Sequence, residues 1–208
     1  MNLFINMLGS NPQLFFTWIL VVVFSVCCHE YAHAQVALWQ GDPTAADQGH
    51  LTLNPLKQMG VFSLIMLAFI GIAWGAVPVN PQRMRHKYSD ALVSFAGPLT
   101  NLILFLIFCI GYTAAIHFGF KESAKRLFEV GATLNIVLFM FNMVPVPPLD
   151  GWGVLHGLFP QISLHNSEFV KGATLCIMLL VFFSFHYLFQ AGSFLTRETV
   201  NAMLTIIG

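Results

Sequence analysis

Charge is what this 208-residue chain has least of. Asp, Glu, Lys and Arg make up 9% of it, against roughly 25% in an ordinary soluble domain, too few to clothe a water-facing surface. Nine basic residues balance nine acidic ones, so there is no basic face of the kind that nucleic-acid binding needs, and no nucleic-acid partner is expected. Cysteine is scarce as well. Cys27, Cys28, Cys109 and Cys176 all lie inside apolar runs, which argues against a disulfide scaffold and predicts small buried packing residues. No Lys or Arg precedes the first apolar run, so the cationic start of a secretory signal is missing and the first helix is expected to be retained. Internal repeats and low-complexity tracts are absent, and no link is long enough for a second domain. One integral-membrane domain over 1–208 is expected.

Apolar residues fill the space that charge leaves. They make up 57% of the chain, 21 residues are Phe and the mean hydropathy is +0.74, so the partner this surface answers to is a lipid bilayer. A helix crossing a ~30 Å hydrocarbon core needs about 20 apolar residues. Five stretches approach that, near 13–38, 59–77, 88–117, 127–145 and 169–190. The fold class expected is an all-α polytopic membrane protein with about four to six transmembrane or re-entrant helices. The tail from Ser193 has a weak amphipathic pattern suited to the interface. Loop charge does not orient the chain: Arg83, Arg85, Lys87 and Lys171 fall on one side, and Lys57, Lys121, Lys125, Arg126 and Arg197 on the other.

An ionisable side chain at mid-membrane costs about 2.5–3.5 kcal/mol on insertion scales and marks function by default. The first apolar run contains His29-Glu30-Tyr31-Ala32-His33. On a helix, residues i and i+4 share a face, so His29 and His33 can offer two imidazole nitrogens to one metal while Glu30 reaches a water beside it. This is H-E-x-x-H, in which two His bind zinc and the Glu is a general base. Cys28 is turned away from the His29/His33 face by the same spacing, so packing accounts for it better than ligation. Catalytic zinc needs a third protein ligand. Asp150 is the leading candidate, because it follows Asn142-Met143-Val144-Pro145-Val146-Pro147-Pro148-Leu149. The prolines stop the helix there, and irregular backbone at membrane depth survives only inside protein or along a cavity. The alternative is an interfacial turn whose Asp caps the helix that follows.

These residues, with Gly97-Pro98-x-x-Asn101 and Asn142-x-x-Pro145-x-Pro147-x-Leu149-Asp150-Gly151, resemble the site-2 protease family (M50) of intramembrane zinc metalloproteases, in its compact bacterial form without a PDZ domain. Gly49–Leu56 and Pro78–Pro81 resemble that family's connecting strands. The resemblance implies that His29, His33 and Asp150 bind one Zn²⁺ and that Glu30 is the catalytic base. It also implies a transmembrane segment of another protein as substrate and, as the default, a bacterial cytoplasmic (inner) membrane. Two features depart from the family. Trp152 follows Gly151 where a second Gly is frequent, and two apolar stretches separate the H-E-x-x-H helix from the Asp150 segment where one crossing is expected. Either 59–77 is re-entrant or broken, as Gly60, Gly71, Gly75 and Pro78 would allow, or the two helices are antiparallel; we favour the first.

Neutral amides can stabilise an oxyanion, which makes Asn142, and less so Asn101, a catalytic candidate; a helix-to-helix hydrogen bond is the competing role. Gly97-Pro98 suggests either a local helix break or tight packing. His50, His86, His156 and His165 belong in or beside links, His117 and His186 lie near helix ends, and none is assigned to the metal. Two other functions use the same residues. A metal-ion transporter would string polar groups across several depths, whereas here they cluster at one. A pseudoprotease that only binds membrane partners would have no need of Glu30. Oligomeric state is left open.

Overall fold

The computed structural model describes residues 4–162, 172, 174, 176, 177 and 184–207. In chain order the helices are α1 (Asn6–Ser10), α2 (Pro12–Trp39), α3 (Thr44–Asp47), α4 (Pro55–Gln58), α5 (Gly60–Ile70), a 3₁₀ turn at Pro81–Arg83, α6 (Ser89–His117), α7 (Glu122–Asn142), α8 (Asp150–Leu158) and α9 (Phe185–Ile207). No β-strand forms among the described residues, which corrects the strand-like expectation for the connections. Gly49–Leu56 turns and bends into α4, and 72–80 runs irregularly.

Two of these helices, α2 and α6, are long and apolar enough to cross a membrane. Asn11 starts α2 by accepting the Leu14 N–H at 3.1 Å, with Pro12 at the first helical position, where its missing N–H costs nothing. The 59–77 stretch behaves differently. Its helix α5 has only 11 residues, about 16 Å at 1.5 Å per residue, and ends at Gly71 in the left-handed region (φ 84°). Beyond it, Ser63 Oγ accepts the Trp74 N–H (2.9 Å) and donates to the Trp74 carbonyl (2.7 Å), and the Ala76 N–H reaches the Gln58 carbonyl (3.1 Å). Those bonds fold the second half of the stretch back along the first. The 127–145 stretch lies mostly within α7, whose first two turns hold Glu122, Lys125, Arg126 and Glu129. Half of 169–190 lies outside the described residues.

Side-chain contacts set the directions of the central helices. Phe24 meets Phe108 while His33 reaches Val93, so α2 and α6 are antiparallel. Gly131 packs under Phe108 and Phe128 over Gly111, so α6 and α7 are antiparallel too. Helices α2 and α7 therefore run the same way, each antiparallel to α6. At the start of α6, α8 comes close because Gly153 and Gly157 lie on Ser94 and Ala91, where a Cβ would collide. The tail forms α9, longer than the pattern from Ser193 suggests. Its Gly192 rests on Val137 and Thr196 Oγ1 lies 3.3 Å from Thr133 Oγ1. Val200 is buried with Phe105, Cys109, Ala132 and Ile136, so one side of α9 packs on α6 and α7.

Cys27 and Cys109 are buried as expected, but Cys28 is half-buried and Cys176 exposed. The expectation failed at Cys176 because an apolar run destined for lipid need not be buried in protein. In the fold around the site, Gly97-Pro98 does not break α6, which is continuous through it.

Candidate metal centre

His29, Glu30 and His33 lie deep in α2, each only 8% exposed. Asp150 reaches them from the first residue of α8. Its Oδ2 is 3.0 Å from His29 Nε2 and its Oδ1 3.4 Å from His33 Nε2, while the two Nε2 atoms are 3.0 Å apart. Asp150 can arrive there because the chain turns tightly at Met143–Leu149, and Gly151 lets α8 start against the Met143 and Val144 carbonyls, where any side chain would collide.

The opposite ring nitrogens are already engaged. His33 Nδ1 lies 2.7 Å from the Val93 carbonyl and His29 Nδ1 2.6 Å from Asn101 Oδ1. A main-chain carbonyl only accepts, so His33 carries a proton on Nδ1. Two Nε2 atoms 3.0 Å apart cannot both be protonated, and Asp150 Oδ2 is buried without a hydrogen-bond partner. Lone pairs thus converge on one point from three atoms lying within 4.8 Å of one another. Such a meeting is repulsive unless a cation joins it. Two imidazoles and a carboxylate are the donor set of a catalytic zinc ion, which leaves a fourth position for water, and outer hydrogen bonds of this kind fix ligand tautomers. The residues fit the metal.

Two glycines shape the surroundings. A Cβ on Gly97 would occupy the place of both Nε2 atoms, and one on Gly75 would strike the Glu30 carboxylate. So α6 presses its backbone onto the imidazoles, and the irregular segment after α5 presses its backbone onto Glu30. The G-x-x-x-G spacing of 71–75 marks a bend and a close approach of main chain rather than a contact between helices.

Of the expected site residues, His29, His33 and Asp150 come together with Glu30 alongside. Asn101 instead braces His29, which settles its hydrogen-bonding partner. Asn142 is the last residue of α7 and makes no side-chain hydrogen bond with described residues. No other described histidine joins the cluster. His156 stacks on Trp152, with ring centroids 5.9 Å apart, and His186 pairs with Gln190 at 2.9 Å; His165 lies outside the described residues. Sequence reasoning missed Asn135 and Ser25, both fully buried. The signal for Asn135 was present, since it is an uncharged polar amide inside the apolar run of α7, and polar as well as ionisable groups are costly in lipid.

The family model "Peptidase family M50" matches residues 115–187. The chain is 37% identical over 150 residues to the "Putative zinc metalloprotease YwhC" of Bacillus subtilis, covering 68% of each protein. The chain belongs to peptidase family M50. It is also 35% identical over 144 residues to the "Putative zinc metalloprotease Rip2" of Mycolicibacterium smegmatis, 64% of this chain and 53% of that one. A Methanocaldococcus jannaschii protein, the "Putative zinc metalloprotease MJ0611", is 32% identical over 102 residues, 44% of this chain and half of its own length. No solved structure matches this M50 chain. The family match begins in the last turn of α6 and ends at residue 187, so it takes in Asp150 but not the H-E-x-x-H motif.

Proposed function

We propose that the protein is a zinc-dependent endopeptidase that hydrolyses peptide bonds in the transmembrane segments of other membrane proteins. The observation that carries the reading is the convergence of His29 Nε2 and His33 Nε2, beside Glu30 in the apolar helix α2, with an otherwise unpartnered Asp150 carboxylate at the start of α8. His29, His33 and Asp150 would hold the ion, which when bound would supply Lewis acidity toward a carbonyl oxygen and toward water. Glu30 accepts the proton of the attacking water and hands it to the leaving amine nitrogen. The Gly75 backbone against Glu30 limits where that carboxylate can swing. Asn142, at the end of α7 and eight residues before Asp150, donates to the carbonyl oxygen as negative charge develops on it.

Residues 1–208 act as one membrane domain in this reading, in a bacterial cytoplasmic membrane, with substrate entering from the bilayer. The test combines metal content with cleavage of a transmembrane substrate in detergent. Wild type is expected to hold one zinc and to cleave. Glu30→Gln should keep the metal and lose roughly 10²–10⁴-fold in rate. Undiminished cleavage by Glu30→Gln, or a wild type that takes up no zinc, would reject the proposal.

A further inference from the structure

The two histidines of the centre are oriented in different ways. His33 meets a main-chain carbonyl, which cannot be anything but an acceptor. His29 meets a side-chain amide, Asn101, which has an accepting and a donating end and would serve equally well turned over. Something must decide which end faces the imidazole. Asn101 Nδ2 donates to Asn135 Oδ1 at 2.9 Å. Asn135 Nδ2 in turn donates to the Gly131 carbonyl at 2.8 Å and to Ser25 Oγ at 2.9 Å. The Gly131 carbonyl accepts only, so it draws the NH₂ of Asn135 and turns its Oδ1 toward α6. That oxygen draws the NH₂ of Asn101, whose own oxygen is then left for His29. The three polar side chains of this hydrogen-bond series, Ser25, Asn101 and Asn135, are fully buried, so water does not compete for either amide.

We propose that Asn135 is a positioning residue. Through Asn135 and Asn101, the Gly131 carbonyl on α7 sets His29 with its proton on Nδ1 and its lone pair on Nε2. Ser25 stands one turn before His29 on α2, so the bonds close a ring through α2, α6 and α7. The ring depends on close helix approach. Gly131 lies flat under the Phe108 ring, where a Cβ would collide, and that approach brings Asn101 within reach of Asn135. The inference rests on the reading of His29 as a metal ligand.

The experiment reads the ligand itself. In wild-type protein freed of metal, ¹⁵N-histidine NMR is expected to show one tautomer for His29, protonated on Nδ1. Asn135→Leu is expected to mix the tautomers, weaken zinc in chelator competition by roughly 10–100-fold, and shift the visible spectrum of the cobalt-substituted protein. Thr133→Val removes another buried hydroxyl of α7, bonded to α9 and not to this chain, and is expected to leave all three readouts unchanged. Asn135→Ala carries the same expectations as Asn135→Leu should the latter fail to fold. An unchanged tautomer and zinc affinity in a folded Asn135 variant would overturn the inference, as would equal losses in Thr133→Val. A wild type that takes up no zinc but keeps the single tautomer would sink the protease reading instead.

Discussion

Two carboxylates placed near α2 have opposite surroundings. Asp42, three residues past the end of α2, is fully buried and surrounded by donors. It accepts the Thr44 N–H (3.0 Å), the Thr44 hydroxyl and the Asn80 N–H (2.6 Å). Asp150, in the middle of the protein, faces two imidazole nitrogens whose protons point elsewhere, and its Oδ2 has no partner. A saturated carboxylate ties chain to chain: Asp42 fastens the segment that follows α5 to the end of α2. An unsaturated one aimed at other lone pairs marks a place for a cation. Asp42 is the more deeply buried of the two and Asp150 is only partly buried, so depth of burial does not mark the ligand; the count of donors does.

Truncating each carboxylate gives the sharpest test of this contrast. Asp150→Ala is expected to abolish stoichiometric zinc and with it cleavage, with helical content retained. Asp42→Ala is expected to keep zinc but destabilise the protein by about 2 kcal/mol, because the part-buried Thr44 and Asn80 donors lose their acceptor. Metal analysis and denaturation of both variants in one detergent would break the comparison if the outcomes were exchanged.

Gly97→Ala comes next. Alanine favours a helix by about 1 kcal/mol over glycine, yet here its methyl would occupy the space of both Nε2 atoms. Zinc affinity should fall by at least 10-fold while α6 stays helical, as measured by chelator competition and circular dichroism.

A smaller effect concerns pH. Burial works against ionisation of Asp42, but hydrogen bonds from Thr44 and Asn80, with Arg83 nearby, outweigh it and hold its carboxyl below the usual 3.8. The unfolded chain therefore binds this proton more readily. The resulting stability is fully present above about pH 4 and is lost as pH falls through the folded value. Thermal denaturation in detergent between about pH 5 and 2 should show this slope, and Asp42→Asn should flatten it. The smallest change expected is in Thr133→Val, about 1 kcal/mol or less of stability, with zinc binding and cleavage unaltered.

Much of the site was legible because the membrane makes polarity conspicuous. His29, Glu30 and His33 interrupt an apolar run at helical spacing, and Asp150 follows a proline-rich stop, so composition and periodicity were enough to nominate them. Asn101 was visible as a polar residue, but its partner was not, because a side-chain amide can brace a ligand or donate to an oxyanion with the same sequence signature. Asn135 went unremarked because the rule that picked out the histidines was applied to ionisable groups, and an amide is polar without a charge. Tight packing at Gly97 was one of two readings, but the close approaches at Gly75, Gly153 and Gly157 were beyond reach, since a glycine carries no mark of which surface will press against it.

The sequence by itself determined the solvent, the length of α2 and α6, and the candidate metal-ligating side chains, because hydropathy and helical period are local properties of the chain. Only the tertiary structure decided that 59–77 doubles back after α5, that α2 and α7 run the same way, and which nitrogen of each histidine is free. Those outcomes depend on partners distant in the chain: Ser63 and Gln58 for the returning segment, Val93 for His33, and Asn101, Asn135 and the Gly131 carbonyl for His29. A hydrogen bond's direction is set by the group at its far end, and that group is known only once the helices are packed.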